Sequence, residues 1–111
     1  MKRWLIAGLG ILMVWAIAFT SPVLAADTAN GAKLFEIHCV GCHVNGGNII
    51  RRNKTLKLKA LERNKVNTID AIATLVANGK ANMSAYKDRL SAAEIDDVSA
   101  YVLEQANKGW R

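Results

Sequence analysis

The sequence predicts an all-α domain of about four helices, and three observations carry that expectation. No stretch from Ala26 to Arg111 keeps the apolar–polar alternation of a strand; Leu56-Lys57-Leu58-Lys59 comes nearest. Apolar residues recur instead at three- and four-residue spacing, the pattern of helix faces. The last of these stripes opens on Ser91, with Glu94 three residues on. That pair is a capping box, which satisfies the exposed N–H groups of a helix start.

The first 25 residues read as an export signal. Lys2 and Arg3 precede an unbroken apolar run, Trp4 to Phe19, and Val23-Leu24-Ala25 has the spacing a signal peptidase accepts. The division expected is therefore 1–25 signal and 26–111 folded domain. The alternative is a retained membrane anchor, although the run falls short of the ~20 apolar residues of a span. After cleavage no stable membrane insertion is expected.

Within the domain, a first helix starts after Asp27 or Thr28 and runs to about His38, with Gly31, Leu34 and Phe35 on one face. Asn45 to Asn53 holds two glycines and three asparagines and reads as loop. Thr55 to Arg63 reads as a short basic helix. A third helix covers about Thr68 to Asn78, with Ile69, Ile72 and Val76 on one side, Leu75 beside them and Gly79 as its stop. The last carries Ile95, Val98, Val102 and Ala106, with Tyr101 alongside. Lys108 and Arg111 lie at its end, where positive charge suits the helix dipole. A chain this short folds alone only with a modest core. After residue 25 its aromatics are Phe35, Tyr86, Tyr101 and Trp110, so a large flat apolar cofactor would supply much of what is missing.

The full chain carries a formal charge of +6; without Lys2 and Arg3 it is +4, with 13 basic residues against 9 acidic. Much of the excess lies between Arg51 and Lys65, where Arg51, Arg52, Lys54, Lys57, Lys59, Arg63 and Lys65 face only Glu62. Nucleic acid is not the expected partner. An exported protein rarely meets it, and no aromatics interleave this run as stacking platforms. Two readings remain, a solvated face and a docking surface for an acidic protein.

Both cysteines of the chain lie in Cys39-Val40-Gly41-Cys42-His43. Two thiols three positions apart can form thioethers with the two vinyl groups of one haem. The histidine that follows is then held where its imidazole can bind iron. Zinc would need two further ligands, and only His38 remains. A thioredoxin-like dithiol would want a βαβ context, which is missing. A strained local disulfide is the third alternative. The sixth iron ligand is expected to be Met83, since Met1 and Met13 fall in the signal. Its setting, Asn82-Met83-Ser84, is polar and away from any apolar stripe, unlike a methionine that merely fills a core. The fold should leave a slot between Cys42 and Met83.

At this level the sequence resembles the cytochrome c6 family over essentially all of Ala26 to Arg111. The resemblance rests on Asn30 to Phe35, Cys39 to His43, Gly46-Gly47-Asn48, Asn53 to Leu56, Gly79-Lys80 before Met83, Arg89-Leu90, and Ala100 to Leu103 with Gly109-Trp110. The step from His43 to Met83 is also similar to that family's ligand spacing. The resemblance implies a class I cytochrome c fold around one covalent haem c, with the first and last helices crossing near Gly31, Phe35 and Tyr101. It implies residence in the thylakoid lumen or periplasm. It implies electron shuttling from the cytochrome b6f complex to photosystem I or a terminal oxidase. It places Asn48, Lys54 and Arg89 near the haem propionates.

Two departures stand out: Ser84 replaces the family's proline after the axial methionine, and Leu75 replaces a glutamine that sits against the haem. A low-potential c6-like branch also carries an apolar residue there, so a lower potential is expected. The function expected is one-electron transfer, not enzymatic turnover, since no acid–base pair beside an open iron position can be identified. The rival is a haem-based ligand sensor in which Met83 leaves the iron.

Overall fold

Helix α1 (Thr28–His38) begins where the Asp27 carboxylate accepts hydrogen bonds from Ala29 N and Asn30 N, at 3.0 and 3.1 Å. The structure, a computed structural model, describes residues 25–111. The expected signal therefore lies outside the described residues, apart from Ala25. A short helix α2 (Val40–His43) follows, then a 3-10 turn over Val44–Gly46. Helices α3 (Leu58–Arg63), α4 (Ile69–Asn78) and α5 (Ala92–Lys108) complete the order. Among the described residues there is no sheet, only an isolated bridge between Lys80 and Met83. None of their helices is long and apolar enough to cross a membrane.

The last two helices are capped, at Ser91 as expected. Thr68 Oγ1 accepts from Ala71 N at 3.1 Å. Ser91 and Glu94 form both halves of the capping box, at 3.0 and 3.1 Å. Gly109 ends α5 in the left-handed region, φ +72°, a conformation cheap only without a Cβ.

Two elements differ from expectation. The attachment segment is itself a short helix; four residues are too few to show a period. Helix α3 starts at Leu58, not Thr55. The Leu56 amide is spent elsewhere, donating to Gly46 O at 2.8 Å, and Lys57 is extended.

The main packing contact is between α1 and α5, with α4 lying against α5 as the second. Gly31 sets that crossing. A Cβ there would overlap the carbonyl oxygen of Asp97 and come within 2.8 Å of Tyr101 Cβ. Asp97 then bonds back to α1: its carboxylate accepts from Asp27 N at 2.7 Å and from Asn30 Nδ2 at 2.9 Å. Phe35 follows one turn along, with its ring centroid 5.4 Å from Tyr101 and 5.3 Å from Trp110, distances at which tilted aromatic pairs attract. Leu34, Leu61, Ile72, Val76, Ile95 and Val98 fill the core around this axis.

One polar group is out of place. Ser99 on α5 is fully buried, and its hydroxyl has no hydrogen-bond partner. Such a group forfeits its bonds to water without replacement.

Gly31→Ala should lower stability by about 2 kcal/mol or more, because backbone must move to admit the methyl. Ser99→Ala should raise it by about 1 kcal/mol, since the hydroxyl contributes only a desolvation cost. Thermal unfolding of the two variants beside the parent checks both signs.

Candidate functional site

Helices α4 and α5 turn Ile72, Leu75, Val76, Val98 and Val102 toward one cavity of about 290 Å³. Its polar atoms come from the α1–α2 junction, from two loops and from Asn64 at the end of α3. Cys39, Cys42, His43, Asn48, Lys54, Leu75 and Met83 all line it. Seven residues spread over 45 positions of sequence thus meet in a single apolar slot bordered by both Cys42 and Met83.

His43 is oriented by the loop that follows it. Its Nδ1 lies 2.7 Å from Gly47 O. A carbonyl only accepts, so Nδ1 carries the proton and Nε2 keeps its lone pair for a metal. The loop is closed by the C-terminal end of the chain. Gly46, φ +74°, lies against the Trp110 indole so closely that a Cβ would overlap the ring. Trp110 Nε1 donates to Leu56 O at 2.9 Å, while Leu56 N bonds Gly46 O.

Met83 sits in a tight loop after α4. Lys80 and Met83 exchange backbone hydrogen bonds of 3.1 and 3.0 Å. Gly79 at φ +68° makes that return possible, because a Cβ there would come within 2.8 Å of Ala85 N. Ala81 takes φ +53°, a strained value for alanine. Tyr86 anchors the far end: its amide donates to Val76 O at 2.9 Å and its hydroxyl to His38 O at 3.1 Å. The methionine is half-buried and also packs on the core, so its sulfur is presented from a fixed support.

The thiols are not bridged to each other. Burial, and secondarily the charge of Cys42, pushes the Cys39 thiol up to about 11. That is opposite to the lowered thiol of a redox-active dithiol, whose reactivity needs the thiolate. Among the described residues, no group of three His, Cys, Asp or Glu side chains converges for a metal ion. An imidazole, a thioether sulfur, two thiols and apolar walls are instead the donor set and surroundings that fit haem c.

The three polar residues associated with propionates behave differently. Lys54 lines the cavity and gives one N–H to Asn64 Oδ1 at 3.1 Å, leaving two donors. Asn48 is largely consumed by its own loop. Its Oδ1 accepts from Ile50 N and Arg51 N at 2.9 and 2.8 Å, and its Nδ2 donates to Lys54 O at 3.0 Å. Arg89 does not line the cavity. Its guanidinium lies 4.6 Å from the centre of the Tyr86 ring, held by cation–π attraction. His38 and Tyr86 line the cavity too, and neither was expected there. The doubled Gly46-Gly47 was the only sequence signal for the clamp on His43; its partner Trp110 is too distant in sequence to be inferred.

Fold and site together define a small class I c-type cytochrome. The family model described as "Cytochrome C oxidase, cbb3-type, subunit III" matches residues 26–102. A cytochrome c6-like protein of Nostoc sp. (strain PCC 7120 / SAG 25.82 / UTEX 2576) is 59% identical over 92 residues, covering 83% of each chain. Cytochrome c6 of the same strain is 46% identical over 103 residues, covering 93% of this chain and 92% of that protein. The crystal structure of cytochrome c6C from Synechococcus sp. PCC 7002 is similar with a TM-score of 0.70 at 56% identity, over 71% of this chain and 96% of the other. The chain belongs to the cytochrome c6 family. It is a monohaem electron carrier, not an enzyme, and its cofactor is one covalent haem c.

Trp110→Ala should free the Gly46–Gly47 turn and weaken the His43 Nδ1 bond. Solvent exchange of that ring proton, followed by NMR in the reduced protein, should accelerate. The reduction potential should rise, because a less basic imidazole stabilises ferric iron less. Trp110→Phe, which keeps ring packing but loses the bond to Leu56, should fall between the two.

Proposed function

We propose that this protein carries single electrons between the cytochrome b6f complex and photosystem I or a terminal oxidase, in the thylakoid lumen or periplasm, at a lower potential than the photosynthetic donors of its family. Haem c supplies a one-electron ferrous–ferric couple when bound. Cys39 and Cys42 would hold it by thioether bonds, and His43 Nε2 and the Met83 sulfur would bind its iron. The observation that carries this reading is the meeting of an oriented imidazole and a supported methionine in one apolar cavity. A centre closed on both sides passes electrons without binding a substrate.

The chain's other residues have distinct parts. Leu56, Leu61, Val66 and the α4–α5 side chains line the cavity and would exclude water from a bound haem. Lys54 offers its spare donors to a propionate. Asn48 holds the loop that carries Lys54. Arg89 acts through Tyr86 at one remove from the cavity.

Two observations support the lower potential and the c6-like branch. Leu75 borders the cavity and offers no hydrogen bond to the ring. The chain is also 59% identical to the c6-like protein of Nostoc against 46% to cytochrome c6 of that strain, over somewhat different lengths.

The reduced protein should bind carbon monoxide poorly, and Met83→Ala should bind it readily; difference spectra give both results. Ready binding by the unmodified protein would favour a ligand sensor instead. Leu75→Gln should raise the reduction potential in a redox titration, and no rise would remove the role given to Leu75.

A further inference from the structure

The stretch of chain that carries Met83 has little of its own to hold it. From Lys80 to Ala85 every residue but Met83 is exposed. Among the described residues, the hydrogen bonds of this stretch are the two between Lys80 and Met83. They fix its local shape. Its place against the rest of the molecule is set at its two ends. One end is Gly79, which closes α4 with an amide bond to Leu75 O at 2.7 Å. The other is Tyr86.

Tyr86 reaches both sides of the cavity. Its amide donates to Val76 O on α4 at 2.9 Å, and its hydroxyl to His38 O on α1 at 3.1 Å. The second bond spans 48 residues of sequence. Among the described residues it is the one hydrogen bond between residues 79–90 and helices α1 and α2. His38 is the last residue of α1, where carbonyls run out of partners within the helix, and Cys39 follows it directly. The bond therefore ties the methionine side of the cavity to the cysteine side.

Two groups fix the ring that carries this hydroxyl. The His38 imidazole stands edge-on to it, with ring centroids 5.8 Å apart and planes at 73°. The Arg89 guanidinium lies over its face, 4.6 Å from the centroid. A short turn presents that cation, since the Arg89 amide donates to Tyr86 O at 2.8 Å. Arg89 joins no ion pair among the described residues, so its charge is shared between the ring and water.

We propose that Tyr86 is a positioning residue for the Met83 ligand, and that Arg89 keeps it in place by locking the ring. This rests on the reading of Met83 as an axial ligand. With the hydroxyl bonded, the Met83 loop cannot swing away from the cavity as a unit. Without that bond the loop keeps only α4 as support, and the sulfur leaves the iron more often. A ligand placed before it binds loses less freedom on binding, so it stays bound longer.

Ligand exchange measures this without electron transfer. Excess imidazole is mixed with the ferric holoprotein. The bond from the Met83 sulfur to iron breaks, a bond from an imidazole nitrogen forms, and the oxidation state is unchanged. Stopped-flow absorbance follows the loss of the weak far-red band of methionine-bound ferric haem. At high imidazole the limiting rate is that of Met83 departure. Tyr86→Phe should raise it about fivefold or more, as the loss of one hydrogen bond predicts. Arg89→Gln should raise it about two- to threefold, the weight of an exposed cation–π contact. In the Tyr86→Phe background Arg89→Gln should add nothing, because it acts through the hydroxyl. Ile95→Val, a core change outside the cavity, lowers global stability comparably and should leave the rate unchanged. An unchanged rate in Tyr86→Phe would overturn the proposal. So would equal acceleration by Ile95→Val, or an Arg89→Gln effect that persists in full in the Tyr86→Phe background. Absence of the far-red band from the unmodified protein would remove Met83 from the iron, and the proposal with it.

Discussion

Contact between α1 and α5 at Gly31 is the constraint on which the rest of the molecule depends. With no side chain at Gly31, the helix backbones approach until Asp97 bonds both Asp27 and Asn30. That approach brings Phe35, Tyr101 and Trp110 into one aromatic cluster. Trp110 then reaches the Gly46 turn and bonds Leu56. The orientation of His43 is thus connected, through four contacts, to a helix crossing it does not touch.

The methionine side of the site is held by different means. No helix presents Met83. A left-handed glycine, a strained alanine and a reciprocal pair of backbone bonds shape its loop, and Tyr86 ties that loop to the end of α1. A loop of this kind costs conformational energy that the surrounding packing must offset. Binding of His43 and Met83 to one cofactor would couple the two halves. Cofactor and core are therefore one energetic unit in a chain with few large side chains of its own.

Polarity around the cavity is divided in the same economical way. The wall from α4 is aliphatic, including Leu75, and presents no hydrogen-bonding side chain to the cavity. Positive charge is concentrated between Arg51 and Lys65, and none of it takes part in an ion pair among the described residues.

The sequence by itself determined the chemistry and most of the helices. Five residues, Cys39 to His43, pointed to covalent haem because the reacting groups are adjacent in the chain. Ser91 with Glu94, Asp27 and the stop at Gly79 mark helix ends, since caps act within one turn. Elimination singled out Met83, and the fold brings it to the cavity with His43. Tertiary structure alone decided which side chains are spent before the cofactor is considered. Asn48 is used by its own turn, Arg89 is held on Tyr86, and Lys54 keeps free donors. It alone paired Trp110 with Gly46, delayed α3 to Leu58 and stranded the Ser99 hydroxyl. Each of these depends on a partner many residues away, and a periodicity or a motif carries no information about such partners.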